Sequence, residues 1–331
     1  MSYRVHWLET NANFEVQPGE TVLGAARRHQ VELPHQCELG GCGSCRVKLL
    51  QGRVAYEEMP FGLTPEEAEE GFALACQAQP ECDLIISVEP PMACAEPACM
   101  EATIAGLDLL SPSVVHLRLD LPAESAPVFR PGQYMDVLLE DGQHRSFSMA
   151  SRPAGDAIDF HVQRIAGGQF TEQQLGRLKI GDRLAVKMPQ GNFHYHAQDY
   201  RPILMVATGT GLAPLKSMLE ALMDDPDCPP VSLYWGARTQ ADLYLHDDIL
   251  SWAARLYEFN FVPVLSQPDA GWPGRTGYVQ QAVLEDHADL SEHGIYLCGS
   301  PAMIADAKTA FAGRGASFEH VYADSFEFQL P

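Results

Sequence analysis

The 331-residue chain has no apolar run long enough to cross a bilayer. Nor does its start, Met1-Ser2-Tyr3-Arg4-Val5-His6, carry the apolar region of a secretory signal. A membrane-spanning or exported protein is therefore not expected, and the cytoplasm is the expected compartment. Basic residues are scarce, 22 Lys and Arg against 44 Asp and Glu, for a net charge of -22. Nucleic acids and anionic membranes are bound through basic patches, so neither is expected as a partner. An acidic surface suits solubility, or steering towards a basic patch on another protein. Nine cysteines are an odd number, which leaves a disulfide framework one partner short. Internal repeats and low-complexity tracts are also missing. Hydrophobic residues, at 46%, are ample for packing, and the length asks for two or three domains rather than one core.

What is present begins with Cys37-Glu38-Leu39-Gly40-Gly41-Cys42-Gly43-Ser44-Cys45, followed after a long gap by Cys76. The spacing C-x4-C-x2-C…C is the ligand pattern of a plant-type [2Fe-2S] cluster, with Cys37, Cys42, Cys45 and Cys76 as ligands. Glycine accepts backbone angles closed to other residues, so Gly40, Gly41 and Gly43 let the loop curl round a compact inorganic core. Their amides can then turn towards the cluster sulfurs. A structural zinc site would use paired short spacings, and Cys42 and Cys45 lack a second C-x2-C. Cys82, Cys94, Cys99 and Cys228 have no neighbouring ligands and are read as incidental.

Alternation predicts a hairpin over Tyr3 to Glu9 and Asn13 to Gln17, and a short helix over Thr21 to Gln30. Strands are expected at Arg46 to Leu50, Arg53 to Tyr56 and Leu84 to Val88. Thr64-Pro65-Glu66-Glu67 reads as a helix start with a capping box. This unit, residues 1–92, resembles the β-grasp ferredoxin fold. A proline-rich stretch from Glu89 to Ala98 reads as a linker holding Cys94 and Cys99. Short strands at Val114 to Leu119, Gln133 to Leu139, Ile158 to Arg164 and Arg183 to Met188, broken by a helix near Phe170 to Leu178, predict an antiparallel β-barrel over 99–199. Apolar runs at Ile203 to Thr208, Val231 to Trp235, Phe259 to Leu265 and Ile295 to Cys298 alternate with helical stretches. That rhythm predicts a doubly wound parallel sheet over 200–331.

Two further constellations carry chemistry. Arg145-Ser146-Phe147-Ser148 is followed by Gly167-Gly168-Gln169-Phe170-Thr171, a glycine pair leading into a helix. Helix starts hold phosphate with unpaired amides, although a glycine pair alone is an ordinary turn. In the last segment, Gly209-Thr210-Gly211-Leu212-Ala213-Pro214 links a strand to a helix, the context a dinucleotide pyrophosphate needs. It is not the full GxGxxG. Cys298-Gly299-Ser300-Pro301 likewise ends a strand and opens a helix; alone, Cys298 is equally well a buried core cysteine.

In this order the motifs resemble the ferredoxin–NADP reductase superfamily, with an iron–sulfur domain in front. The resemblance implies FAD. Arg145 and Thr171, with Gly168 and the adjacent Gly167, would hold its pyrophosphate; Ser146 and Phe147 line the flavin site, and Ser148 hydrogen-bonds near flavin N5. Phe147 stands where the superfamily usually has tyrosine, keeping an aromatic face but losing a hydroxyl. Gly209, Thr210, Gly211 and Pro214, with Gly299, would hold the nicotinamide dinucleotide, and Cys298 would sit beside nicotinamide C4. The resemblance also lays Phe326 over the flavin ring and puts Asp324 nearby as a proton relay, although a purely structural terminal strand is the rival there. The stretch after Trp235 lacks paired basic residues for a 2′-phosphate, with Arg238 the one candidate, so NADH is expected.

The whole chain resembles the reductase components of bacterial multicomponent oxygenases, as used in aromatic hydrocarbon catabolism, and deoxysugar reductases of the CDP-6-deoxy-glucoseen type. The implied activity passes hydride from NADH to FAD and single electrons through the cluster, near roughly −400 mV, to a partner. That partner is an oxygenase component, Rieske or di-iron, or an intermediate ferredoxin; a dehydratase is the alternative. A non-catalytic redox sensor is a third reading, which intact hydride machinery at Ser148 and Cys298 opposes. Cys45→Ser is expected to abolish NADH-driven cytochrome c reduction while sparing ferricyanide reduction at the flavin. Survival of both activities unchanged would overturn the ligand assignment.

Overall fold

Three sheets succeed one another along the chain in this computed structural model, which describes residues 2–90, 97–122, 128–153 and 157–326. The first is built from β1 (Tyr3–Trp7), β2 (Ala12–Val16), β3 (Arg46–Gln51), β5 (Phe72–Leu74) and β7 (Leu84–Ser87), in the order β2-β1-β7-β3-β5. A small separate ladder pairs β4 (Val54–Ala55) with β6 (Gln79–Pro80). Alternation turns Val5 and Trp7 of β1, and Phe14 and Val16 of β2, into the core. Helix α1 (Val22–Arg28) covers them; its N-cap Thr21 accepts from Gly24 N at 3.1 Å, a cap worth about 1 kcal/mol. Helix α2 (Pro65–Glu69) starts with the expected capping box, Thr64 and Glu67 bonding reciprocally. Between α2 and Cys76 lies β5, a strand the sequence reading passed over.

The second sheet has the order β11-β10-β13-β8-β9-β12, antiparallel throughout, and closes around Phe160, Met135 and Val186. Its strands are β8 (Ala98–Ser111), β9 (Val114–Asp120), β10 (Tyr134–Leu138), β11 (His144–Ser148), β12 (Ala157–Gln163) and β13 (Arg183–Gln190). Two expectations need correction here. Cys99 stands on β8, opposite Lys187, rather than in a linker, because β8 begins at Ala98. Cys94 lies outside the described residues. The helix expected over Phe170 to Leu178 is a single wide turn, Gln169–Gln174, that buries Phe170 in the barrel.

The third sheet is parallel in every pair, with order β17-β16-β15-β14-β18-β19. Its strands are β14 (Ile203–Thr208), β15 (Val231–Ala237), β16 (Phe259–Leu265), β17 (Arg275–Thr276), β18 (Gly294–Gly299) and β19 (Val321–Ser325). Helices α3 (Leu212–Leu222), α4 (His246–Trp252), α5 (Val279–Asp286) and α6 (Pro301–Ala312) cover it. Both faces are buried, and the central strands read as unbroken apolar runs, as parallel sheets require.

The domains are joined by polar contacts at specific points. Lys216 of α3 donates to Ala150 O at 2.9 Å and Ser217 to Ser151 O at 2.7 Å, tying the third sheet to the barrel. Tyr244 meets His161 of β12 at 3.1 Å. On the other side, α6 and β19 lie against the first domain, whose core is continuous with that of the third. Arg46, Glu67 and Lys308 form a buried ionic group across that seam. Removing one member of such a group costs about 3–5 kcal/mol.

His161 is fully buried and its pKa is pushed down to about 3 by burial. Unfolded chain takes up a proton near 6.5 and folded chain does not, so stability falls as pH drops from 6.5 towards 3. His161→Gln should flatten that limb by up to about 1.4 kcal/mol per pH unit, read from urea midpoints between pH 6.5 and 4. An unchanged slope would contradict the burial of a neutral imidazole.

Candidate functional site

The cluster loop runs from Leu33 to Cys45 without helix or strand, held by backbone contacts that only small residues permit. Gly40 and Gly43 both adopt φ +78°, in the left-handed region. Gly62 donates to Gly40 O at 2.8 Å, and a Cβ on Gly62 would sit 2.5 Å from Gly41 O. Arg27 of α1 pairs with Glu38, but the pair is half-exposed and contributes little.

The three thiols of this loop and Cys76 act on one another's ionisation in two pairs, Cys37 with Cys42 and Cys45 with Cys76. The amides of Leu39 and Cys42 both donate to Cys37 Sγ at 3.4 Å. The Cys42 thiol and these amides push Cys37 down to about 5, and the Cys45 thiol lowers Cys76. The partners Cys42 and Cys45 are raised by the same shared protons and by burial. Four cysteine thiols are the donor set that a [2Fe-2S] cluster would take. Among the described residues, no three His, Cys, Asp or Glu side chains converge on one point to hold a single ion. The eight described cysteines are all free thiols.

On the barrel, β11 carries Arg145, Ser146, Phe147 and Ser148. Ser146 donates to Asp136 at 2.6 Å, Arg145 rests on His144 O at 2.7 Å, and Phe147 packs on Phe170 with ring centroids 5.4 Å apart. Ser148 is buried opposite Tyr134. Gly167 has φ +77°, and Gly168 lies so close to Thr171 that a Cβ would collide with its hydroxyl. Thr171 is buried and accepts from Ile165 N at 3.3 Å, which closes the turn and leaves its hydroxyl hydrogen to donate.

In the third domain, β14 ends in a tight turn, Gly209–Gly211, that runs into α3 with Pro214 in the helix's first turn. Gly211 packs so closely on the Cys298 carbonyl that no side chain fits there. Trp235 donates to Gly209 O at 2.9 Å and fixes the turn from β15. Arg238, just past the end of β15, is exposed and accepts from Gln267 N through its carbonyl. Cys298 is wholly buried, and burial pushes its thiol well above the ordinary range, with Asp324 adding to the effect. Gly299 has φ +135° and abuts Thr208, whose hydroxyl accepts from Ser300 N at 3.0 Å.

These pieces meet at the end of β19. Asp324 lies beside Cys298 in the parallel pairing, Phe326 N donates to Gly299 O at 2.8 Å, and Ser325 donates to Gly41 O of the cluster loop at 3.2 Å. Asp324 is buried, and its pKa is pushed up to about 7 by burial and then by Cys37. Tyr134 is raised by burial, with Asp136, Asp324, Cys42 and Cys37 adding to it, so its ring stands where barrel, third sheet and cluster loop adjoin. Tyr134, Trp235 and Thr208 were missed at the sequence level. An aromatic on a strand beside Gly132, and another at the C-terminal end of a parallel strand, were the available signals.

Residues 5–81 match the 2Fe-2S iron-sulfur cluster binding domain family, 101–195 the oxidoreductase FAD-binding domain family and 205–309 the oxidoreductase NAD-binding domain family. The chain is 34% identical to a CDP-6-deoxy-L-threo-D-glycero-4-hexulose-3-dehydrase reductase of Yersinia pestis, over 98% of this chain and 99% of that one. It is 32% identical to a terephthalate 1,2-dioxygenase reductase component of Comamonas sp, over 98% of each. Among solved structures it resembles an Amycolatopsis cytochrome P450 reductase, with TM-score 0.71, 30% identity and 98% of each chain covered. The chain thus carries [2Fe-2S], FAD-binding and NAD-binding domains, and the paired thiols fit the first of these groups.

Gly299→Ala should cost about 1–3 kcal/mol of stability, since alanine is strained at that φ. It should also raise the KM for NADH several-fold, measured with ferricyanide as acceptor. A wild-type melting point together with a wild-type KM would contradict the geometry described for the β18 turn.

Proposed function

The chain belongs to the family of NAD-binding flavin reductases that carry a [2Fe-2S] domain ahead of their FAD- and NAD-binding domains, and on that premise we propose that it draws hydride from NADH and delivers single electrons to an oxygenase component, directly or through an intermediate ferredoxin. The observation that carries this reading is the end of β19, where one short segment touches both the nicotinamide motif at Gly299 and the cluster loop at Gly41. FAD, when bound, supplies the exchange between a two-electron hydride donor and a one-electron iron–sulfur acceptor.

The protein's residues bind and position around that exchange. Cys37, Cys42, Cys45 and Cys76 would hold the [2Fe-2S] cluster through their thiolates. Arg145, Gly167, Gly168 and Thr171 serve the FAD pyrophosphate, Ser146 and Phe147 line the flavin site, and Ser148 offers its hydroxyl at N5. Gly209, Thr210, Gly211, Pro214 and Gly299 make room for the nicotinamide dinucleotide. Cys298 stays a neutral thiol, because burial opposes its ionisation, and packs beside the nicotinamide without adding charge. Asp324 keeps a proton up to about pH 7 and holds it next to that thiol. Phe326 would shield the flavin ring, when FAD is bound, on the face that nicotinamide must reach. Arg238 alone, without a paired basic residue, favours NADH over its 2′-phosphorylated form.

A second reading has its own support, the 34% identity to a CDP-hexulose dehydrase reductase along almost the entire chain. In that reading the acceptor is a dehydrase and the upstream steps are the same. The described residues include no helix long and apolar enough to cross a membrane, and free cysteines suit the reducing cytoplasm.

The test supplies NADH and this chain to two acceptors in parallel, a purified Rieske or di-iron oxygenase component and a CDP-hexulose dehydrase. Turnover of the oxygenase at least roughly tenfold faster supports the first reading; the reverse order transfers the chain to the second. No NADH-driven reduction of cytochrome c by FAD-replete protein would sink both.

A further inference from the structure

A lysine from the nicotinamide domain is buried beneath the cluster loop. Along α6, Met303, Ile304, Ala307 and Phe311 are buried, and Lys308 shares that face although it is charged. Its Nζ lies 3.1 Å from Glu67 Oε1 and donates to Gly62 O at 3.3 Å. A Cβ on Gly43, between the thiols Cys42 and Cys45, would be 3.8 Å from the same nitrogen. Glu67 is wholly buried and also takes Arg46 Nη1 at 2.5 Å and Thr64 N at 2.9 Å. Arg46, the residue after Cys45, reaches across the seam with Nη2 to Phe318 O at 2.8 Å and Val321 O at 2.7 Å.

The charges do not cancel. Arg46 and Lys308 each bring a positive charge and Glu67 one negative, so the group carries one surplus positive charge into a buried space beside the loop. Burial pulls the lysine pKa down, while Glu67 opposes that pull. Burial alone would raise Glu67, but Lys308 and Arg46 outweigh it and hold the carboxylate below its ordinary value. Apolar side chains would join the two domains at least as well. What they would not supply is a fixed charge, and in low-dielectric surroundings a fixed charge acts more strongly than at the surface.

We propose that Lys308 is a positioning residue for electron transfer: it pins the cluster loop to the nicotinamide domain, and its charge raises the reduction potential of the cluster. The inference rests on the four-thiol reading of the site. Reduction of the cluster adds one electron, ultimately from NADH, and one negative charge, with no bond made or broken. A neighbouring cation therefore favours the reduced form, and net charge is one of the quantities that sets such potentials.

The test is a redox titration of the cluster, followed by electron paramagnetic resonance, in wild type and four full-length variants. Lys308→Gln keeps a donor for Glu67 and Gly62 O but drops the charge; Lys308→Met drops both; Lys308→Arg keeps the charge. Thr309→Val cuts a different contact across the same seam, Thr309 to Glu66 at 3.2 Å, with no change of charge. In Lys308→Gln and Lys308→Met the reduced-to-oxidised ratio at a fixed potential should fall about tenfold, equivalent to a drop of about 59 mV for one electron. Lys308→Arg and Thr309→Val should stay near wild type, and the flavin potential should not move in any of them. A cluster-replete Lys308→Gln at the wild-type potential overturns the proposal, as does a Thr309→Val shift of equal size. If Lys308→Met does not fold, the comparison of Gln with Arg still decides. Wild-type protein lacking the cluster would instead count against the thiol assignment.

Discussion

The arrangement depends on how the open edge of β19 is satisfied. An edge strand presents backbone groups with no sheet neighbour, and these must find other partners. At Val321, where the strand begins, the first domain supplies one such partner. The Arg46 guanidinium takes the carbonyls of Phe318 and Val321, and the Gly41 carbonyl takes the hydroxyl of Ser325. The strand that closes the nicotinamide sheet is thereby fastened to the loop that carries the thiols. Gly299 and Phe326 complete the junction from within the sheet. The end of this one strand thus contacts both Gly299 of its own sheet and Gly41 of the thiol-bearing loop.

Electrostatics follow the same seam. The chain is strongly acidic as a whole, yet the space under the cluster loop holds an arginine and a lysine for one carboxylate. Asp324 and Cys298, a few residues away in space, are both pushed towards their neutral forms by burial. Charge is thus placed beside the cluster loop and withheld around Cys298 and Asp324. Close backbone approach does the rest, since Gly211 against Cys298 and Gly62 against Gly41 leave no room for a side chain.

The sequence made the local chemistry legible. Cys37 to Cys45, Arg145 to Ser148, Gly209 to Pro214 and Cys298 to Pro301 each need particular residue types at short spacing, so each is written in a few consecutive positions. The three-layer order of fold types followed from period and strand rhythm, and the capping box at Thr64 was visible as four letters. What escaped was either weakly patterned or non-local. Strand β8 alternates loosely and starts inside the proline-rich stretch, and the turn after Gly168 proved too short for the helix expected there. Tyr134 matters because of residues in two other domains. Lys308 and Glu67 are 241 positions apart, and no window along the chain contains both. A lysine at an apolar position of α6 was the one trace they left.

The central claim is that four thiols in two pairs hold an iron–sulfur cluster wired to a flavin and driven by NADH. One anaerobic preparation, assayed for iron, acid-labile sulfide, zinc and flavin and then reduced with NADH, tests it most directly. The account predicts iron and sulfide in equal amounts, flavin at half of either, and bleaching of both chromophores when NADH is added. Zinc in place of iron, or a cluster that NADH leaves oxidised in flavin-replete protein, would contradict it.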